Sequence, residues 1–171
     1  MVYGKRRLLA AFVLTALAGC LLHGVYSLWP NGFTALFSPV RESLWEHLKI
    51  LVWPYLAAAL VLNRDRPTGM RPWLLALLGM SAAMLAAGYF WHITLGGEAV
   101  WTDIGLYVLL LAFGFWIPSR FSGPFRGVKW ILPVLGTAAL IALTAVFTLY
   151  PPDGLLFVDL SGADVWSRLP C

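Results

Sequence analysis

The residues SPVRESLWEHLKI, numbers 38 to 50, stand directly before the apolar run LVWPYLAAALVL. They carry five ionisable side chains within nine residues: Arg41, Glu42, Glu46, His47 and Lys49. A charged side chain inside a membrane costs at least about 2.5–3.5 kcal/mol, so such residues usually face the interior of a helix bundle and often serve function. Whether this cost applies depends on whether the chain crosses a membrane.

The composition is that of a membrane protein. Of the 171 residues, 60% are hydrophobic and only 12% are charged, whereas about a quarter of the residues in a soluble domain are charged. Five long apolar runs carry almost no charge, at residues 8–29, 50–62, 73–91, 104–117 and 130–149. The second and fourth runs are shorter than the roughly 20 residues that cross the hydrocarbon core, so their helices must begin earlier.

The sequence therefore predicts an all-α, polytopic membrane protein, a bundle of five transmembrane helices. The predicted spans are residues 7–29, 39–62, 72–92, 100–118 and 128–150. Residues 1–150 form a single transmembrane domain, and residues 151–171, which are too short and too acidic to span again, form an extracytoplasmic interfacial tail.

The second helix is predicted to start at the opening stretch. Ser38 is a suitable N-cap, and Pro39 suits the first helical position. Glu42 and Glu46 would then lie one turn apart on one face, with Lys49 three residues beyond Glu46. Two carboxylates this close require that a cation neutralises one, that one takes a proton, or that a metal holds both.

Basic residues predict the orientation, because cytoplasmic loops are enriched in Lys and Arg. They fall before the first span, between the second and third, and between the fourth and fifth: Lys5, Arg6, Arg7, Arg64, Arg66, Arg71, Arg120, Arg126 and Lys129. The N-terminus is thus inside and the C-terminus outside, and the chain crosses the membrane several times. The net charge of +4 follows from this topology, so membrane lipid is an expected partner and nucleic acid is not.

The two cysteines predict no disulfide, because Cys20 falls in the first span and Cys171 ends the chain. Leu17-Ala18-Gly19-Cys20 is also similar to the cleavage signal of a bacterial lipoprotein. The apolar run continues past Cys20 to the length of a span, where a lipoprotein would carry a polar tether, so we expect a transmembrane helix here.

The ionisable residues of the spans share one membrane layer. All three histidines and Asp103 fall in its outer part, which makes a common site the leading hypothesis. The candidate metal ligands are His23, His47, Glu46, His92 and Asp103. The candidate catalytic residues are Glu46, His47 and Glu42. We expect His23, His47, Glu46 and Asp103 to point into one cavity, with Glu42 at its rim.

Structural roles compete with this hypothesis at several positions. Arg41 can reach headgroups or water, and Glu42 can favour the positive end of a helix. His92 follows three aromatic residues and fits an aromatic belt at the interface. Glu46 and His47 lie deeper, but adjacent helical residues point about 100° apart and cannot easily share one ion.

The stretch from Phe37 to Lys49 resembles the signature of an uncharacterised family of small bacterial integral membrane proteins. Members of this family read approximately F-x-P-V-N-E-S-x-W-E-H-x-K after a first helix that contains a histidine. Here Arg41 replaces the usual Asn. The resemblance covers the first two helices and implies a membrane-embedded fold in a bacterial cell (inner or plasma) membrane, but it implies no activity.

Three functions fit these residues. The first is a metal-dependent or acid–base enzyme that acts on a lipid or membrane-proximal substrate, with a divalent transition metal as its candidate cofactor. The second is a proton- or cation-linked small transporter or ligand-binding membrane protein. The third is an accessory or scaffold protein without catalysis. Gly79, Ala83 and Ala87 form a small-residue stripe suited to packing within the bundle or to a homo-oligomer.

The topology predicts the outcome of reporter fusions. Fusions after Pro67 and Gly123 should be cytoplasmic, and a fusion after Cys171 should be extracytoplasmic, because three basic segments agree on the inner side. Paired alkaline phosphatase and fluorescent protein reporters measure this, and the opposite location at any of the three positions contradicts the topology.

Overall fold

The computed structural model describes residues 3–66, 69–120 and 130–161, and this part of the chain is helical with no strand. Its α-helices are α1 (Lys5–His23), α2 (Val25–Leu28), α3 (Gly32–Phe37), α4 (Leu44–Leu62), α5 (Met70–Gly88), α6 (Val100–Ser119) and α7 (Ile131–Leu149). A π-helical turn, Tyr89–Thr94, extends α5, and a 3-10 turn lies at Leu155–Phe157.

Five helical segments are long and apolar enough to cross a membrane. They are Lys5–Leu28, Leu44–Leu62, Met70–Thr94, Val100–Ser119 and Ile131–Leu149. The predicted all-α architecture with five candidate spans is therefore confirmed in the described residues. Residues 128 and 129 of the last predicted span, and residues 162–171 of the predicted tail, lie outside them.

The predicted start of the second span is wrong. Ser38 ends α3 in an extended conformation (φ −111°, ψ 149°), as expected of a residue before proline. The N-cap of α4 is Ser43, whose Oγ accepts a hydrogen bond from the Glu46 backbone N–H at 3.3 Å. Glu42 therefore lies outside the helix and shares no helical face with Glu46.

Helix α4 is the most buried of the five candidate spans. It packs mainly against α1 and α5. Leu48, Leu51 and Tyr55 are fully buried on α4, as is Trp73 on α5. The Tyr55 hydroxyl donates to the Gly114 carbonyl oxygen at 2.6 Å, which satisfies a buried polar group and ties α4 to α6.

Because successive spans run in opposite directions, the histidines lie at one end of the bundle and most of the basic residues lie at the other. His23 ends α1, His47 lies in the first turn of α4, and His92 and Asp103 lie at the junction between α5 and α6. These residues meet at one end of the bundle. The other end carries the basic residues Lys5, Arg6, Arg7, Arg64, Arg66, Arg71 and Arg120.

Two of the three residues in the small-residue stripe on α5 do not pack inside the bundle. Gly79 and Ala83 are exposed, and a Cβ added at Gly79 would meet no atom within 4 Å. The stripe was predicted to pack either within the bundle or between copies of the protein. Contact between copies through Gly79, Ala83 and Ala87 stays a prediction.

Two helical glycines give a matched test of this packing. A Cβ at Gly19 would collide with the Tyr107 hydroxyl and lie 2.7 Å from the Ile50 carbonyl oxygen. Gly19→Ala should therefore destabilise the bundle by about 1–3 kcal/mol. Gly79→Ala meets open space and should stabilise α5 by up to about 1 kcal/mol. Thermal unfolding in detergent measures both changes, and an equal effect of the two substitutions contradicts the packing of α1 against α4 and α6.

Candidate functional site

Three side chains that can bind a metal converge at the histidine end of the bundle. His23 is the last residue of α1, His47 lies in the first turn of α4, and Glu42 lies in the segment before α4. The two Nε2 atoms are 3.1 Å apart. The Glu42 Oε2 atom lies 3.5 Å from His23 Nε2 and 3.3 Å from His47 Nε2. We call these residues the His/Glu cluster.

The backbone fixes the tautomer of His47. Its Nδ1 lies 2.8 Å from the Ser43 carbonyl oxygen. Because a carbonyl oxygen only accepts, Nδ1 carries a proton and donates it to this oxygen. Nε2 is then the nitrogen that faces His23 and Glu42: it donates to Glu42 when it carries a proton, and it offers a lone pair to a metal when it does not. Metal-binding histidines commonly have this arrangement, in which a backbone carbonyl orients the ring through its other nitrogen.

The three distances match one face of a metal coordination shell. In a tetrahedral site with bonds of about 2.0–2.1 Å, neighbouring ligand atoms are about 3.3–3.4 Å apart. The cluster has separations of 3.1, 3.3 and 3.5 Å. Two imidazoles and one carboxylate form the ligand set of several catalytic zinc sites, in which water takes the fourth position.

The histidines keep Glu42 ionised. Hydrogen bonding to His23, followed by that to His47, holds the pKa of the Glu42 carboxyl well below its usual range and outweighs the effect of burial. A carboxyl pKa that is lowered by folding contributes stability above the usual carboxyl pKa. This contribution is lost as the pH falls through the lowered value. At neutral pH Glu42 therefore offers an anionic oxygen to a proton or a metal.

A second pair lies where α5 and α6 meet. His92 Nε2 is 2.9 Å from Asp103 Oδ1, and His92 Nδ1 is 2.8 Å from the Gly97 carbonyl oxygen. The carbonyl again holds the proton on Nδ1. The contact between Nε2 and the carboxylate oxygen then requires one shared proton, because two lone pairs would repel each other. We call this the His92–Asp103 pair.

One cavity of about 420 Å³ joins the cluster and the pair. Its polar lining includes Glu42, His47, His92, Glu98 and Asp103. Leu160 and Ser161 of the C-terminal segment also line it, and the Leu160 N–H donates to the Glu42 carbonyl oxygen at 2.9 Å. The described part of the predicted tail thus closes one side of the cavity.

Glu46 does not join the histidines, contrary to the expected convergence. Its Oε2 accepts from Lys49 Nζ at 2.7 Å and from the Val40 N–H at 2.8 Å. Its Oε1 accepts from the Thr148 hydroxyl at 2.9 Å. Lys49 Nζ also donates to the Ala35 and Ser38 carbonyl oxygens at 2.7 and 3.3 Å. Both side chains are buried, so this ion pair belongs to the core.

Most of the other candidate residues lie around one cavity. His47, His92 and Asp103 line one cavity, and His23 joins it through its contacts with His47 and Glu42. Glu42 lies between the two cluster histidines rather than at a rim. The pattern Ser43-x-x-Glu46, which is typical of a helix N-terminus, is the signal that would have placed Glu42 outside α4.

Comparison with known proteins gives a family but no activity. The chain belongs to a family of unknown function, DUF6512, whose model matches residues 3–164. No curated protein and no solved structure matches the chain.

The buried ion pair predicts asymmetric effects of substitution. Lys49→Met leaves the Glu46 carboxylate buried without its cation and should destabilise the protein by about 3–5 kcal/mol. The double variant Glu46→Gln with Lys49→Met removes both charges and should recover part of this loss. Thermal unfolding in detergent measures the difference. The control is Arg41→Met, which removes a half-buried cation. If Arg41→Met lowers stability as much as Lys49→Met does, a specific role for the Glu46–Lys49 pair is contradicted.

Proposed function

Since membership of this family assigns no activity, we propose from the geometry that the protein is a membrane-embedded, metal-dependent enzyme. Its divalent transition metal is bound by His23, Glu42 and His47. The metal activates water for attack on a lipid or another membrane-proximal substrate. This proposal revises the ligand set expected from the sequence, because Glu46 is committed to Lys49 and His92 to Asp103.

The convergence of three ligand atoms carries the proposal. Two imidazole nitrogens and one carboxylate oxygen lie within 4.8 Å of one another, although they come from three separate segments of the chain. When neither Nε2 carries a proton, the two imidazole lone pairs and the carboxylate place excess negative charge in a small volume. A divalent ion balances this charge and uses all three donors.

A metal in the cluster leaves a coordination position for water. His23, Glu42 and His47 supply three protein ligands, and Glu42 and His47 also face the cavity. Three protein ligands with an open fourth position distinguish catalytic zinc sites from structural ones. A bound zinc ion lowers the pKa of its water to about 7, which supplies a nucleophile at neutral pH.

The proposed location is the extracytoplasmic side of a bacterial cell membrane. Seven of the nine described lysines and arginines, all except Arg41 and Lys49, lie at the end of the bundle opposite to the cluster, and basic loops remain in the cytoplasm. Substrates would then enter from the outer leaflet. Exposed apolar residues near the cavity, Val100 and Trp101, suit a site that is reached from lipid.

Metal content tests the proposal. The purified wild-type protein, loaded with Zn²⁺ and freed of excess metal, should hold one equivalent by elemental analysis. His23→Ala, Glu42→Gln and His47→Ala should each reduce this to well below one equivalent, because each removes one of three protein ligands. Metal should also dissociate as the pH falls, because protons compete with the metal for its imidazole and carboxylate ligands.

His92→Asn provides the matched control. It removes an imidazole that lies against Asp103 rather than in the cluster, so metal content should be unchanged. Wild-type protein without stoichiometric metal, or cluster variants that retain it, would contradict the proposal.

A further inference from the structure

The charges around the cavity restrict the substrates of the proposed enzyme. Three of the lining residues are acidic, Glu42, Glu98 and Asp103, and no lysine or arginine is among the described residues that line it. In the proposed site Glu42 binds the metal and Asp103 shares a proton with His92, so Glu98 is the acid that remains. A phosphate ester would meet this acid and, beyond the metal, no arginine or lysine among the described lining residues to bind it. A carboxylic ester is neutral, and only the single charge of its transition state must be stabilised.

The size and apolar wall of the cavity suit one lipid chain. Leu44, Met84, Val100 and Leu106 line it beside the polar residues. Its volume of about 420 Å³ lies in the usual range of small-molecule sites, about 300–1,000 Å³. This space holds the polar part of an amphiphile and the first part of one chain, with the remainder of the chain in the bilayer.

The His92–Asp103 pair provides a proton in the same cavity. The proton between Nε2 and Oδ1 cannot move to Nδ1 of His92, because Nδ1 already donates to the Gly97 carbonyl oxygen. The side chain of Asp103 is 43% exposed and that of His92 only 16%. Asp103 is therefore the member of the pair open to a substrate, and His92 is the positioning residue that holds the proton beside it.

We propose that this site hydrolyses a carboxylic ester of an uncharged single-chain amphiphile, with the His92–Asp103 pair as the proton donor to the departing alcohol. The proposal rests on the proposed metal site. The ester lies between the two walls of the cavity, with its carbonyl carbon towards the His/Glu cluster and its alcohol oxygen towards Asp103.

The reaction consumes one water. A water at the open face of the cluster gives a proton to the solvent as its oxygen bonds to the carbonyl carbon. The bond between this carbon and the alcohol oxygen then breaks, and the alcohol oxygen takes the proton held between His92 Nε2 and Asp103 Oδ1. A proton from the solvent restores the pair, so the products are one carboxylic acid and one alcohol.

Two decanoate esters with different leaving groups test the proton donor. Glycerol monodecanoate releases an alcohol that must be protonated, whereas p-nitrophenyl decanoate releases a stable anion that needs no proton. Zinc-loaded wild-type protein in detergent micelles should hydrolyse both. Asp103→Asn should slow hydrolysis of the glycerol ester about 10²–10⁴-fold, the usual contribution of a general acid, and leave the p-nitrophenyl ester almost unchanged.

The variants around the pair separate catalysis from folding. His92→Gln should give the same selective loss as Asp103→Asn, and the double variant should lose little more, because the two residues act as a unit. Zinc content and thermal unfolding should match the wild type in each. Asp153→Asn, which removes an acid outside the cavity, should hydrolyse both esters at the wild-type rate.

Three results would overturn this inference in distinguishable ways. An equal loss for both esters in Asp103→Asn would exclude the pair as the proton donor. Stoichiometric zinc with no hydrolysis of either ester, or with faster hydrolysis of bis-p-nitrophenyl phosphate, would exclude the ester class and leave the metal site intact. Absence of bound zinc would overturn the proposed function and this inference with it.

Discussion

The buried ion pair between Lys49 and Glu46 is the interaction on which the site depends. Charge in a non-aqueous bundle is tolerated only where every donor and acceptor has a partner. Lys49 uses its ammonium group on Glu46 and on two carbonyl oxygens of the chain before α4. Glu46 accepts from the Val40 N–H of the same segment and from Thr148 of α7. The pair thus fastens residues 35–40 to the core.

Fastening this segment is what brings Glu42 to the histidines. Ser38 holds the segment near the end of α1, because its Oγ accepts from the Tyr26 N–H at 3.0 Å and donates to the His23 carbonyl oxygen at 3.4 Å. Glu42 follows four residues later and reaches both His23 and His47. The adjacent residues Glu46 and His47 therefore divide their roles, one in the core and one in the candidate site.

Hydrophobicity alone predicted the five candidate spans, because length and apolar content decide which segments can cross a membrane. It also predicted that the histidines share one layer, since helical rise converts residue number into depth. The sequence was a weaker guide to the directions in which the side chains point. Ser38 followed by Pro39 predicted a helix start, but the structure uses Ser43 as the N-cap, with Glu46 three residues later. Glu42 therefore lies in the segment before the helix and not on a helical face. The pairing of His92 with Asp103 depends on a turn after α5 that no pattern in the sequence specified.

X-ray absorption at the zinc edge tests the central claim, that His23, Glu42 and His47 bind a metal, most directly. The account predicts a first shell of about four light atoms at about 2.0–2.1 Å and the multiple-scattering signal of two imidazoles. Glu42→Gln and His47→Ala should each change this shell, and the second should also reduce the imidazole signal. A shell of waters without imidazole scattering, or one with sulfur at about 2.3 Å, would contradict the account.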